Sequence, residues 1–261
     1  MKVGKAIYNI LSQSTDVQSN FPFNTTDYAP TGTELVLNND FTGGSTSWTV
    51  IENSGGSVTF ATNQCQIITD GVNGQGIRQF ILTTGKSYKV VIDIESNTNK
   101  FQVRLGDEIA VVSGSGIQTF YGVATATDLL IYRVSGEASD VVLNSVSIEE
   151  MALTKIFPEL APPDIDAPYI VYSVVSNSPS DTKNANGDID TASIEVYGFQ
   201  DTYNKAVDLG VSVRAALDRK TGTYNTIEIQ STNYVNEQMD VNEARKLWAA
   251  IQDYSIRIKN I

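Results

Sequence analysis

SIEVYGFQDTYNKAVDLGVSVRAAL, residues 193–217, holds the local pattern from which the fold of both ends of the chain can be worked out. Its first part, with the two residues before it, reads as a strand over 191–199, because apolar side chains alternate with polar ones. Its second part reads as a helix. Ala206, Leu209, Val213, Ala216 and Leu217 recur every three or four residues and fall on one stripe. Asp201 stands where a helix N-cap is expected, Arg214, Arg219 and Lys220 suit the negative end of the helix dipole, and Gly222 ends the run.

Upstream, KIFPELAPPDIDAPYIVYSVVS (155–176) is a proline-rich approach to an apolar strand at 169–175, and the polar stretch 176–190 reads as a mobile loop with almost nothing to bury. Downstream, NTIEIQ (225–230) is a short strand, and DYSIRIK (253–259) alternates Tyr254, Ile256 and Ile258 against Ser255, Arg257 and Lys259. MDVNEARKLWAAIQ (239–252) fits helix by composition and strand by the alternation of Trp248, Ala250 and Gln252. At the start of the chain, Val3, Ala6, Ile7, Ile10 and Leu11 form a second helical stripe that Gln13, Ser14 and Thr15 end, and residues 16–33 read as a linker.

The middle is different. Residues 20–151 contain 14 of the 19 glycines, while the flanks contain five of the seven prolines and 12 of the 18 basic residues. Segments 33–37, 48–51, 57–61, 64–68, 77–82, 87–95, 101–105, 108–112, 117–123, 129–134 and 141–148 read as strands at short, regular intervals, which points to a sandwich or barrel. The expectation is therefore two domains: residues 1–19 plus 152–261 as an α+β unit, interrupted by an all-β sandwich over 20–151. The ends of such an insertion should lie close together.

Composition narrows the chemistry. The net charge of −12, from 30 acidic and 18 basic residues, repels phosphate backbones and argues against specific nucleic-acid binding, although a DNA channel also needs a surface that does not stick. The sequence has no histidine, which removes triads, Cys–His pairs and histidine-bearing zinc sites. Asp107–Glu108 and Glu149–Glu150 fit turns and strand ends better than a glycosidase carboxylate pair, so no catalytic residue, metal site or cofactor is expected. Cys65 lies in an alternating segment and reads as a small core residue. No apolar run approaches the roughly 20 residues of a membrane span, and residues 1–14 lack the apolar stretch of a signal peptide.

Two resemblances add to this reading. ELVLNNDFTGGSTSWTV (34–50) and SDVVLNSVSIEE (139–150) resemble the first and last strands of jelly-roll carbohydrate-binding modules. That resemblance implies a jelly-roll insert with Trp48, Tyr121 and Tyr132 as candidates for stacking on a sugar, although a large aromatic beside an alternating strand is more often core. Thr42 and Asn144 stand where the resemblance would place acidic calcium ligands.

With the middle removed, VGKAIYNILSQ (3–13), the 155–176 segment, the 193–217 unit and the closing DYSIRIK strand resemble, in order, the tail-completion and tail-terminator proteins of long-tailed bacteriophages. The resemblance implies a structural, non-enzymatic virion protein, assembled in the host cytoplasm and located at the neck of the tail. It would form a homo-oligomeric ring, commonly a hexamer, that ends tail-tube growth and joins the tail to the head connector, with the sandwich outside the ring. The implied partners are the tail tube protein and head–tail connector proteins, with tail sheath or a surface glycan as further candidates. Strands near 169–175, 192–199 and 254–259 are candidate edges for the ring contact, and the 176–190 loop is a candidate for ordering against a partner. The rival reading is host adhesion through a glycan on the sandwich.

Overall fold

The computed structural model describes residues 2–179 and 189–259. The chain forms two compact units, and it crosses from one to the other between Tyr28 and Ala29 and again between Ala152 and Leu153. The first crossing comes later than the expected break after residue 19. The reason is local packing: Val17, Phe21 and Tyr28 are buried with the chain ends, and the supposed linker contains a short helix capped by Ser14.

The middle unit is built from β1 (Tyr28–Glu34), β2 (Thr49–Ile51), β3 (Gly56–Ala61), β4 (Gln64–Thr69), β5 (Gly76–Phe80), β6 (Ser87–Asn97), β7 (Phe101–Leu105), β8 (Glu108–Val112), β9 (Gly116–Val123), β10 (Asp128–Arg133) and β11 (Ser139–Leu153). The first strand sits earlier than the 33–37 expected, and the other ten fall close to the stretches read from alternation. They make two antiparallel sheets, β3-β4-β11-β6-β9 with β1 also on β11, and β2-β5-β10-β7-β8. The alternation in β6 explains the pairing of the sheets. Tyr88, Val90, Ile92 and Ile94 point inward and share one core with Ile77, Phe101, Val103, Leu129 and Ile131 of the other sheet. Cys65 is part of that core, where burial pushes its thiol up to about 12.

The other unit contains α1 (Lys2–Gln13), α2 (Thr15–Gln18), β12 (Ile156–Pro158), β13 (Tyr169–Pro179), β14 (Ile189–Gln200), α3 (Tyr203–Leu217), β15 (Gly222–Tyr224), β16 (Ile227–Asn242) and β17 (Leu247–Lys259). Its six-stranded sheet runs β12-β13-β14-β17-β16-β15, and only the short β12–β13 pair is parallel. Both helical stripes read from the sequence are buried. Each valine, leucine or isoleucine among them contributes about 1.5–3 kcal/mol when fully buried.

Three expectations need correction, and one open alternative is decided. The N-cap of α3 is Thr202, not Asp201, whose carboxylate instead accepts from Lys205 Nζ at 2.9 Å one turn on. The ambiguous 239–252 stretch is a strand, a turn and a strand, because pairing of β16 with β17 overrides its local helix preference. The strands at 192–199 and 254–259 are interior strands of the sheet, with neighbours on both sides, so they cannot offer edges. The 176–190 segment is not all loop: β13 continues to Pro179 and β14 begins at Ile189, while residues 180–188 lie outside the described residues.

Helix and sheet approach closely at glycine. A Cβ at Gly210 of α3 would lie 3.0 Å from Ala250 Cβ and 3.2 Å from Gln252 Nε2, whose amide donates to the Gly210 carbonyl at 2.8 Å. Gly210→Val should therefore push α3 off the sheet and lower stability by about 1–3 kcal/mol. Chemical denaturation followed by circular dichroism checks this, and a midpoint equal to wild type would refute it.

Candidate functional site

The sheet of the unit that holds both chain ends is apolar on its helix-covered face and, on the other face, at the end that carries Tyr169, Tyr197, Phe199 and Leu247. In β14, Ile194 and Val196 are buried, and Tyr197 and Phe199 alternate with them on the opposite side. Gly198 faces α3, where a Cβ would come within 3.0 Å of Leu209, so the aromatics lie on the face away from that helix. There they line a groove of about 660 Å³, together with Tyr169, Val171, Leu160, Glu159 and Arg245.

The groove is built from the proline-rich approach. Tyr169 stacks on Phe199 with centroids 4.6 Å apart, Phe199 stacks in turn with Tyr197 at 6.3 Å, and Phe157 meets Tyr169 edge-on at 6.5 Å. Arg245, in the turn between β16 and β17, donates to the Tyr169 hydroxyl at 3.1 Å and to the Ile165 carbonyl. One guanidinium thereby ties the sheet hairpin to the segment that covers it. Ala161, Ile165 and Ala167 of that segment pack on Tyr169, Val171 and Leu247. Leu160 is left 82% exposed at the rim.

The titratable groups of the groove are tied to one another. Glu195 Oε2 accepts the Tyr197 hydroxyl at 2.6 Å, and this bond, with some burial, pushes the phenol up to about 12. Burial raises Tyr169 as well, against a smaller opposing effect of the Arg245 charge. Among the described residues no group of three His, Cys, Asp or Glu side chains could hold a metal ion. The groove offers stacking surface and one arginine, which suits contact rather than bond-making. Sequence reading missed it. The available signal was that 191–199 and 169–175 have large apolar side chains on both faces, which a strand covered on one side does not need.

The three sugar-stacking candidates do not meet on one surface. Trp48 is 6% exposed, packs on Phe41 at 5.7 Å and donates its indole N–H to the Asn38 carbonyl at 3.1 Å. Asn38 also holds the turn itself, accepting from the Gly43 N–H and donating to the Gly44 carbonyl. The NNDFTGGSTSW stretch is thus a self-contained turn with its tryptophan as core. Tyr121 is 42% exposed on β9, in one sheet, and Tyr132 lies on β10 in the other, over Gly74 and Gly76. Thr42 donates to Asp40 Oδ1 at 2.9 Å, and Asn144 donates to Glu95 Oε2 at 3.2 Å.

With this geometry in hand, comparison with known proteins is informative at one level. Residues 140–259 match the family model of tail completion protein gp17. The matched segment spans the groove, α3 and the long strands β13, β14, β16 and β17. Among solved structures, the virion of a native gene transfer agent particle matches at 12% identity over 41% of this chain and 80% of that chain, with a TM-score of 0.33. At that similarity it adds no weight to the family match. No curated protein matches the chain.

The Tyr197–Glu195 bond predicts alkaline behaviour. A phenol whose folded pKa is raised from 10.0 to about 12 contributes stability that is intact below pH 10 and lost as pH rises towards 12. Tyr197→Phe should flatten that loss, as measured by thermal melts across this range. An unchanged alkaline slope would mean that the bond does not form.

Proposed function

We propose, for a chain whose residues 140–259 are those of the tail completion protein gp17 family, that it assembles as a ring at the head-proximal end of a phage tail. There it stops growth of the tail tube and presents a surface to the head connector. The observation that carries this reading is the family match over the four long strands and α3, because those elements form the unit that would repeat around the axis. The match supports a structural role in a phage tail. The ring, commonly a hexamer, the tube and connector partners, the neck position and assembly in the host cytoplasm are the finer proposal.

The physical chemistry is compatible with that role. An aromatic, arginine-pinned groove with no convergent acid–base set suits a contact surface, and the reading is accordingly a structural rather than enzymatic protein. A net charge of −12 keeps a passing DNA backbone from adhering. We read the unit of α1, α3 and the six-stranded sheet as α+β. The middle unit is read as a jelly roll inserted into it and carried on the outside of the ring. Its chain passes repeatedly between the two sheets, so that β10 lies between β5 and β7, and β11 between β4 and β6.

Host adhesion through a surface glycan remains the second reading, supported by Tyr121, the exposed aromatic of the three candidates. Retention on immobilised host surface polysaccharide that falls at least tenfold in Tyr121→Ala would favour it, and equal retention would remove it.

The ring reading is tested by incubating the purified chain with tail tubes and imaging the ends by negative stain. One added ring at one end of each tube is the expected result. Bare ends at saturating protein would overturn it.

A further inference from the structure

Both outer strands of the six-stranded sheet are covered along only part of their length. β12 pairs with residues 170–172 of β13, and Glu159 Oε1 accepts the Val174 N–H at 3.4 Å just beyond it. Among the described residues, no strand lies beside the outer edge of 175–179. At the other margin β15 pairs with 227–229 of β16. The chain leaving α3 covers the next part, with the Arg219 N–H donating to the Thr232 carbonyl at 2.7 Å and Asp218 Oδ1 accepting the Tyr234 N–H at 3.0 Å. Residues 236–242 then have no outer neighbour among the described residues. Each open stretch starts at a bulge whose extra residue is an exposed valine, Val175 at 58% and Val235 at 62%.

Resting on the ring reading above, we infer that residues 175–179 of one subunit pair antiparallel with residues 236–242 of the next copy of this chain, so that the sheet continues from subunit to subunit. Four properties of these edges support a second copy as the occupant. β13, β14, β17 and β16 alternate in direction, so β16 of one copy runs antiparallel to β13 of a copy placed beside it by rotation alone. A head-to-tail contact of this kind is heterologous, and it gives a ring when the rotation between copies closes. The stretches VSNSP and NEQMDVN also lack lysine, and their one proline, Pro179, closes the first of them.

The partial covers lie at opposite ends of the two strands, so they do not collide. Joining the open parts needs a stagger, however. Within one subunit Asn177 is level with Thr232, through Ala192 and Ile256. Placing Asn177 opposite Gln238 slides the next copy by about six positions, one of them bulged, or roughly 17 Å at 3.4 Å per residue. Four strands span roughly 19 Å, which gives a strand tilt of about 40°, within the range of closed barrels. Finally, 175–179 has no charged residue, and Glu237 accepts from Gln252 Nε2 within its own subunit, so Asp240 meets no like charge across the contact.

The test is a disulfide between copies. In the full chain, Asn177→Cys combined with Gln238→Cys should give, on tube ends under oxidising conditions, a ladder of covalent multimers up to the ring, while neither single variant does. Cys65 can stay because it is buried. In parallel, Val175→Lys with Val241→Lys, two exposed positions, should reduce ring occupancy at tube ends at least tenfold while the circular dichroism spectrum stays that of wild type. Rings at tube ends with no ladder and no loss in the lysine variant would overturn the edge pairing and leave the ring standing. Bare tube ends with the wild-type chain would overturn the ring, and the pairing with it.

Discussion

A sheet must be covered wherever its side chains are apolar, and the unit that holds the chain ends meets this with one full layer and one partial layer. Helices cover one face, with Leu209, Val213 and Leu217 of α3 buried there. The other face is covered by the irregular 159–168 segment, which cannot form a helix because proline recurs through it. The fit is incomplete, and the shortfall is the aromatic groove between that segment and the Arg245 turn. The candidate contact surface is thus a consequence of how this sheet is covered.

The polar interior under α3 shows the same economy from the helix side. Gln252 donates to both the Gly210 carbonyl and Glu237, and accepts from the Tyr254 hydroxyl at 2.6 Å. Burial raises the Tyr254 phenol well above its ordinary value. A glutamine in a helix–sheet interface is tolerated because each of its polar atoms has a partner. Its bond to the Gly210 carbonyl also ties α3 to the sheet, at a glycine where a Cβ would meet Ala250.

How far this could be read in the sequence depends on the range of the interaction involved. The stripes of α1 and α3 and the alternation in β6 and β7 are local periodicities, and they give the elements almost residue by residue. What local pattern could not give is which strands end up at a margin, since 192–199 and 254–259 look like any half-buried strand until their neighbours are known. The 239–252 stretch stayed ambiguous for the same reason: its helix-forming composition yields to pairing of β16 with β17 at 13 positions. Trp48 illustrates the converse, since its role follows from a local turn that Asn38 closes, and the same tryptophan viewed as a motif suggested a sugar. The groove escaped because its parts, Tyr169, Phe199 and Arg245, are far apart in sequence and converge only in the folded sheet.

The middle unit can be long because of how its stems are held. Where the chain leaves and re-enters the unit of the chain ends, the Thr154 N–H donates to the Asp27 carbonyl at 2.8 Å, and Lys155 pairs with the Asp27 carboxylate at 3.1 Å, with both side chains less than a fifth exposed. The stems are thus fixed next to each other by bonds that belong to one unit alone. Closing a longer excursion between fixed stems costs only about 0.6 kcal/mol for each doubling of its length, so folding of the six-stranded sheet does not limit what lies between them. The sandwich for its part has its own core, running from Val36 to Ile148. Substitutions on the surface of the middle unit can therefore leave the core and the groove of the other unit as they are.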